Sequence, residues 1–283
     1  MFRVLSNFNL IFLNKSMIEK IPVGDLIFLG TGTSHGVPMI GCECSVCQST
    51  NPKNKRTRSS VILGFPEGNL LIDTSPDLRG QFLRERLLAA DSILFTHPHV
   101  DHLFGLDDTR RFSALNGGKN VEVYCSEHVE REIRTKFAYV FDPLVQKYPA
   151  GGIPKLTLIR IQAEKEFQVL GKKVLPLKIK HGMMEILGFR IGNLAYCTDA
   201  KTIPEETIEQ LYGLETFIVG CLRYDPHPTH MGLSEVLELV ERIKPKRVFF
   251  THIGHGFDHE NISSELPANI QPAFDGLYLR NCF

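Results

Sequence analysis

Residues 95–102 read Phe-Thr-His-Pro-His-Val-Asp-His, so four candidate metal ligands, His97, His99, Asp101 and His102, fall within six positions. Histidine is the commonest metal ligand in proteins. His97 and His99 are two apart, which in an extended segment turns both side chains to the same side. Pro98 favours that extension, because a following proline disfavours the helical region for His97. Asp101 and His102 are adjacent and splay apart as the chain turns into a helix. One short stretch can therefore serve two cations about 3.5–4 Å apart, the spacing of two-metal hydrolases.

More candidates follow at the ends of apolar runs. His181 closes VLPLKIK, Asp199 follows LAYCT and His252 follows RVFFT. Each sits at the C-terminal end of an expected strand, where α/β proteins place ligands. The Asp199 carboxylate has the valency to bridge two cations. Asp73 closes LLID, and it serves either to orient a ligand histidine or to cap a strand end. A separate cluster, Cys42-Glu-Cys44-Ser-Val-Cys47, offers three thiolates at a spacing that wraps one tetrahedral zinc, with a fourth ligand from elsewhere. His255, three residues after His252, is the candidate for that place. A redox Cys-x-x-Cys is the competing reading, but no thioredoxin-like context surrounds it. Cys125, Cys197 and Cys221 lie in or beside apolar strands and read as core packing.

The elements that must position these groups alternate. Strands are expected at 25–32, 59–64, 69–73, 92–96, 121–124, 156–161, 173–180, 185–191, 194–198, 215–220, 247–250 and 275–280. Helices are expected at 76–90, from the histidine cluster to about Leu115, and at 127–137, 204–212 and 233–243. Residues 141–154, with three prolines and Gly151-Gly152, read as a loop. No linker divides the chain, so its 283 residues are read as one α/β domain, residues 17–283, built of two sheets packed face to face and covered by helices. Residues 1–16 read as a poorly ordered extension, with Met17 as an alternative start. Organelle targeting by that segment stays open. Formal net charge is zero, which argues against broad attraction to nucleic acid. No run of ~18 apolar residues is present, so no membrane span is expected. Seven cysteines, an odd count with three crowded together, fit a reducing, cytoplasmic setting better than a disulfide framework.

The run His97-x-His99-x-Asp101-His102, followed in order by His181, Asp199 and His252, resembles the signature of the metallo-β-lactamase superfamily. The resemblance implies the αββα sandwich, two mixed β-sheets flanked by helices. It implies two catalytic divalent metals, zinc or manganese: His97, His99 and His181 on one, Asp101, His102 and His252 on the other, with Asp199 between them. It also gives Asp73 the supporting role. The run GTGTSHGVPMIGCECSVC, residues 30–47, with Thr251-His252-Ile-Gly-His255, narrows the resemblance to the phosphoribosyl 1,2-cyclic phosphate phosphodiesterase (PhnP-like) branch. That branch implies one structural zinc held by Cys42, Cys44, Cys47 and His255. The pyrroloquinoline-quinone-biosynthesis proteins share a Gly-rich start and a cysteine cluster of this kind, but their metal motif is degraded, whereas the one here is intact.

The reaction so implied is opening of a cyclic phosphate of a phosphoribose-type sugar by a metal-bridging hydroxide. Asp101 and His230 are the expected catalytic residues, His230 protonating the departing sugar oxygen from the loop CLRYDPHPTHM. His227 competes for that role. Arg58 and Arg223 are candidate phosphate contacts, and Asp107 to Arg111 read as a surface salt-bridge network. The partner is a small-molecule phosphodiester. A homodimer stays open, and neither nucleic acid nor membrane is expected. An RNA- or DNA-processing nuclease, a thioester or lactam hydrolase and a non-catalytic binding protein are the alternatives on the same scaffold.

Overall fold

The computed structural model describes residues 17–148 and 152–283. The expectations for residues 1–16, and for residues 149–151 within the 141–154 loop, lie outside the described residues.

Fourteen strands are described: β1 (Leu26–Gly30), β2 (Ser60–Phe65), β3 (Gly68–Ile72), β4 (Ser92–Leu94), β5 (Val121–Cys125), β6 (Leu156–Arg160), β7 (Phe167–Val169), β8 (Lys172–His181), β9 (Met184–Ile191), β10 (Leu194–Cys197), β11 (Thr216–Gly220), β12 (Arg247–Thr251), β13 (Ile270–Pro272) and β14 (Tyr278–Leu279). They form two seven-stranded sheets in the orders β14-β1-β2-β3-β4-β5-β6 and β13-β12-β11-β10-β9-β8-β7. Each sheet is antiparallel on one side and parallel on the other, β3 to β6 in the first and β10 to β13 in the second. The helices are α1 (Ser45–Gln48), α2 (Leu78–Glu85), α3 (Val100–Leu103), α4 (Arg110–Leu115), α5 (Glu127–Lys136), α6 (Pro143–Lys147), α7 (Glu205–Glu209), α8 (Leu233–Ile243) and α9 (His259–Glu265). This is the αββα sandwich expected from the sequence. None of the described helices is long and apolar enough to cross a membrane.

Burial on both faces explains why the central strands are apolar throughout rather than alternating. Leu26 and Phe28 of β1 point between the sheets, while Ile27 and Leu29 meet the helices of the outer layer. Ile218 of β11 faces the inner core, and its neighbours Phe217 and Val219 face α8. On α8, Val236, Leu239, Val240 and Ile243 recur with helical period and are all buried. Glu235 caps that helix by accepting the Gly232 N–H at 2.8 Å. Two glycines are dictated by geometry. A Cβ on Gly30 would lie 2.0 Å from the Arg58 carbonyl oxygen, and Gly182, at φ 60°, turns β8 into β9 where a Cβ would meet Thr229 at 2.9 Å.

The structure departs from the sequence expectations in local stretches. The helix expected over 76–90 ends at Glu85, because Arg86 takes a left-handed conformation and Leu87 turns back to bond the Phe82 carbonyl at 2.9 Å. The helix expected from the histidine cluster to Leu115 is three pieces, α3, a 3-10 stretch over Phe104–Thr109, and α4. Gly105 packs there so closely on Ser75 that a Cβ would sit 2.0 Å from its carbonyl oxygen. Helix α6 lies inside the expected loop, started by Asp142, which accepts the Leu144 N–H at 2.7 Å. The short strands β7 and β13 and the polar helix α9 carry too little periodicity to be read from sequence.

The inner core sets the fold's stability. Ile218→Ala is expected to lower the unfolding free energy by about 2–5 kcal/mol. Leu144→Ala, at a site 71% exposed, is expected to change it by less than about 0.5 kcal/mol. Urea unfolding of both variants measures the difference, and equal losses would contradict the assignment of the inner core.

Candidate metal centre

The candidate ligands come from strand ends at one edge of the sandwich. Asp73 follows β3 directly, Thr96 and His97 follow β4, His181 closes β8, Asp199 follows β10 by two residues, and His252 follows β12. Asp73, Asp199 and His252 all have left-handed φ, at 62°, 54° and 53°. Non-glycine residues adopt that region at a cost of order 1 kcal/mol each, and such residues cluster at functional sites. His99 is extended at φ −64°, ψ 153°, and α3 begins with the next residue. The extended His-Pro-His segment is therefore present, but Asp101 and His102 do not splay apart as expected, because both lie in the first turn of α3 and converge, Asp101 Oδ2 standing 3.3 Å from His102 Nε2 in one ligand group.

Two ligand groups result, and a third overlaps them. The donor atoms of His97, His99 and His181 lie within 4.8 Å of one another, as do those of Asp101, His102, Asp199 and His252, and those of His181, Asp199 and His230. Asp199 lies between the first two. Its Oδ1 is 3.3 Å from His102 Nε2, and its Oδ2 is 3.2 Å from His252 Nε2 and 3.9 Å from His97 Nε2. Asp101 Oδ2 is 3.3 Å from both His102 Nε2 and His252 Nε2.

Behind the donors, acceptors fix three imidazole tautomers. Asp73 accepts the His102 Nδ1–H at 2.7 Å, the Thr96 hydroxyl at 2.8 Å and the Thr96 N–H at 2.9 Å. The Thr96 hydroxyl, its proton committed to Asp73, accepts from His97 Nδ1 at 2.9 Å. His181 Nδ1 donates to the carbonyls of Asp199 and Thr229 at 2.9 and 2.7 Å. Each of these rings thereby turns its Nε2 toward the centre, the arrangement that outer partners give metal-binding histidines, and His97 Nε2 there meets His99 Nδ1 at 3.0 Å. Asp73 thereby supports both groups, one of them through Thr96. His252 differs, since its buried Nδ1 has no hydrogen-bond partner.

The electrostatics call for a cation. Burial opposes the charge on His102, but Asp199, Asp101 and Asp73 outweigh it and hold its pKa well above the usual histidine range. Burial likewise opposes ionisation of Asp199, yet His252 and His102 hold it well below the carboxylate range. Asp101 is lowered too, against its burial, chiefly by His102. Burial and the charge of His102 drive His97 well below its ordinary value, so that ring is neutral. His102 Nε2 is buried with no hydrogen-bond partner, between two carboxylates that only accept. Protons or metal cations must balance this site. Five imidazoles and two carboxylates suit divalent first-row metals, and the cluster fits a dinuclear site.

The cysteine cluster also closes around its fourth candidate. His255 Nδ1 is 3.3 Å from Cys42 Sγ and 3.4 Å from Cys44 Sγ, and the donor atoms of Cys42, Cys44, Cys47 and His255 lie within 4.8 Å of one another. The Cys47 N–H donates to Cys44 Sγ at 3.4 Å, and this bond with His255 lowers the Cys44 thiol to about 6. Burial pushes Cys47 up to about 11. Three sulfurs and one imidazole fit a tetrahedral zinc.

A cleft of about 380 Å³ opens beside the centre. His230, His227 and Arg223, Thr33 to Gly36 with Met39, and His255 all line it. His230 Nδ1 is 3.8 Å from Asp199 Oδ2, and its ring lies 4.6 Å from that of His181 and 4.8 Å from that of His252. His227 stands farther out, its Nδ1 taken by the Thr229 N–H at 3.3 Å. Arg223 is braced by the carbonyls of Asp225 and Pro226 at 3.2 and 2.6 Å. Arg58 does not itself line the cleft, but its Nη1 lies 3.7 Å from where a Cβ on the lining residue Gly36 would stand. Its guanidinium pairs with Asp77 at 3.2 Å, because Asp77 stands at the start of α2 directly beside the segment that carries Arg58. Arg110 pairs with Asp107 as a surface contact. Thr96, Thr198, which donates to Asp199 Oδ1 at 2.6 Å, and His35 in the cleft wall went unread in the sequence. A threonine directly preceding a ligand was the signal available for the first two.

A family profile described as a beta-lactamase superfamily domain matches residues 68–253. The chain therefore belongs to the metallo-β-lactamase superfamily. Within it, the PhnP-like branch is supported by a solved structure described as a new diphosphatase from the PhnP family, which is 40% identical with TM-score 0.83, covering 90% of this chain and 96% of that one. A Porphyromonas gingivalis protein named octanoyltransferase is 37% identical over 254 residues, 89% of this chain and 50% of that protein. The chain thus spans half the length of that relative. A coenzyme PQQ synthesis protein B of Methylorubrum populi is 35% identical over 96 residues, 29% of this chain and 32% of that protein. The zinc-bound PqqB structure from Methylobacterium extorquens, 21% identical with TM-score 0.69, covering 90% of this chain and 99% of that one, shares the fold.

Asp73→Asn keeps the shape but has one accepting oxygen in place of two, so it cannot take the Thr96 N–H as well as the Thr96 hydroxyl and the His102 Nδ1–H. It is expected to weaken divalent-metal binding by about 10- to 100-fold, read by competition with a chromophoric chelator. Wild-type affinity in this variant would show that Asp73 only ends a strand.

Proposed function

We propose that this chain is a dinuclear-metal-dependent phosphodiesterase that opens a cyclic phosphate of a phosphoribose-type substrate. The carrying observation is that Asp199, a member of the Asp101, His102 and His252 group, also comes within 3.9 Å of His97 Nε2 in the other group, while His230 stands 3.8 Å from it and lines the cleft. His97, His99 and His181 would hold one cation and Asp101, His102 and His252 the other, with Asp199 available to both. Such cations would activate a water as nucleophile and offset charge on the phosphoryl oxygens. The chain's own residues orient and protonate. Asp73 and Thr96 keep His102 and His97 in the ligating tautomer. His181, anchored by two carbonyls, carries the ring against which His230 packs.

His230 supplies the proton that the departing sugar oxygen requires. Burial and His252 push it down to about 3, with Asp199 opposing them. A phosphate anion entering the cleft favours its charged form, so the proton is recruited with the substrate. Arg223 lines the same cleft and meets the phosphate side of the substrate. The cysteine group would hold a structural zinc, which would fix His255 where it lines the cleft.

A second reading, hydrolysis of a diphosphate linkage, is favoured by the description of the 40% identical structure. Both bonds join a substituted phosphorus to an oxygen leaving group, so the same centre serves either. The balanced charge weighs against a nuclease. The octanoyltransferase name belongs to a protein of which this chain spans half, and an octanoyl thioester enters as a control.

Phosphorus NMR of metal-loaded protein with 5-phosphoribosyl 1,2-cyclic phosphate should show opening to a single ribose bisphosphate. Turnover of a nucleoside diphosphate sugar in its place would select the second reading. Thioester cleavage without either would sink both. His230→Ala is expected to slow an alkyl-leaving substrate by about 10²- to 10⁴-fold and an aryl ester much less. Equal slowing of both would remove His230 from the leaving-group role.

A further inference from the structure

The largest fully buried side chain described lies outside the centre. Arg56 is 2% exposed, yet no carboxylate pairs with it directly. Its Nη1 donates to the Thr31 hydroxyl at 2.9 Å and to the Ala273 carbonyl, and its Nη2 meets His259 Nδ1 at 3.3 Å. The Thr31 hydroxyl in turn donates to Asp275 Oδ1 at 2.9 Å. A guanidinium only donates and a carboxylate only accepts, so the direction of this relay is fixed. Burying such charges is costly, and an apolar group of similar volume serves stability as well or better.

The relay holds one turn. The Thr31 carbonyl accepts the Ile253 N–H at 2.8 Å, and the Thr33 N–H donates to the Ile253 carbonyl at 3.2 Å. Ile253 follows His252 and shares its turn with His255, so both candidate metal groups depend on that turn's path. His97, His102 and His181 are aimed by partners on their rear nitrogens, whereas His252 has none and sits at φ 53°. Its aim must come from its backbone.

We propose that the Arg56–Thr31–Asp275 relay is a positioning device that fixes the His252–His255 turn and so sets the dinuclear centre in register with the cysteine site. The proposal rests on the metal-centre reading above. Thr31→Val keeps the shape and the carbonyl while removing the hydroxyl, and Thr31→Ser keeps the hydroxyl. Ile133→Val, a small core truncation on the distant α5, controls for stability loss. Zinc affinity is read by chelator competition, and the geometry of the thiolate group by the cobalt–sulfur charge-transfer band. Thr31→Val is expected to weaken zinc binding at the dinuclear centre by about 10- to 100-fold and to shift the cobalt band, with Thr31→Ser and Ile133→Val like wild type. Wild-type affinity and band in Thr31→Val, or the same loss in Ile133→Val, would overturn the relay. Failure of the wild type to bind metal would overturn the metal-centre reading and the relay with it.

Discussion

Two buried carboxylates, Asp101 and Asp199, face the Nε2 atoms of His102 and His252 at 3.2–3.3 Å. Charged groups so placed are tolerable in a protein interior only when balanced. A cation at each group would relieve the carboxylates and use the nitrogens that Asp73, Thr96 and two backbone carbonyls have aimed inward. Those partners, and the strained backbone at Asp73, Asp199 and His252, make sense as the means of holding that charge cluster ready.

The sandwich makes this affordable. Both sheets are buried on two faces, so their strands are stiff and end at defined depths. Strands β3 and β4 of one sheet and β10 and β12 of the other deliver ligands or their supports to a shared edge. The cysteine group uses the same scaffold at one remove, since His255 leaves β12 in the turn that carries His252. The cleft is lined by neighbours of both groups, His230 beside the dinuclear ligands and His255 of the thiolate site, with Arg223 and His227 on the same loop as His230.

Much of the centre was legible because its ligands are local in sequence or fall in a recognisable order. His97 to His102 declare themselves by spacing, whereas His181, Asp199 and His252 were legible only through their order in the superfamily signature, since a histidine closing an apolar run is more often structural. The Cys42–Cys47 cluster found His255 because the sequence separation from His252 is short. Asp73 stood open between two roles, and only the distance to His102 connects it with the ring. Arg58 read as a phosphate contact on residue type alone, while its pairing with Asp77 depends on how β2 approaches α2. Thr96 acts through a hydroxyl direction that no spacing encodes. In the fold, the central strands and α8 were legible from continuous or periodic burial. The split between α3 and α4 was not, because it follows from the contact of Gly105 with Ser75, some thirty positions earlier.

The most direct test of the two-group centre is elemental analysis of dialysed protein, wild type beside Asp199→Ala. The account predicts three bound metals per chain in the wild type, and in the variant loss of the dinuclear pair with one zinc retained at the thiolates. A wild type holding one metal or none, or a variant that keeps all three, would contradict it.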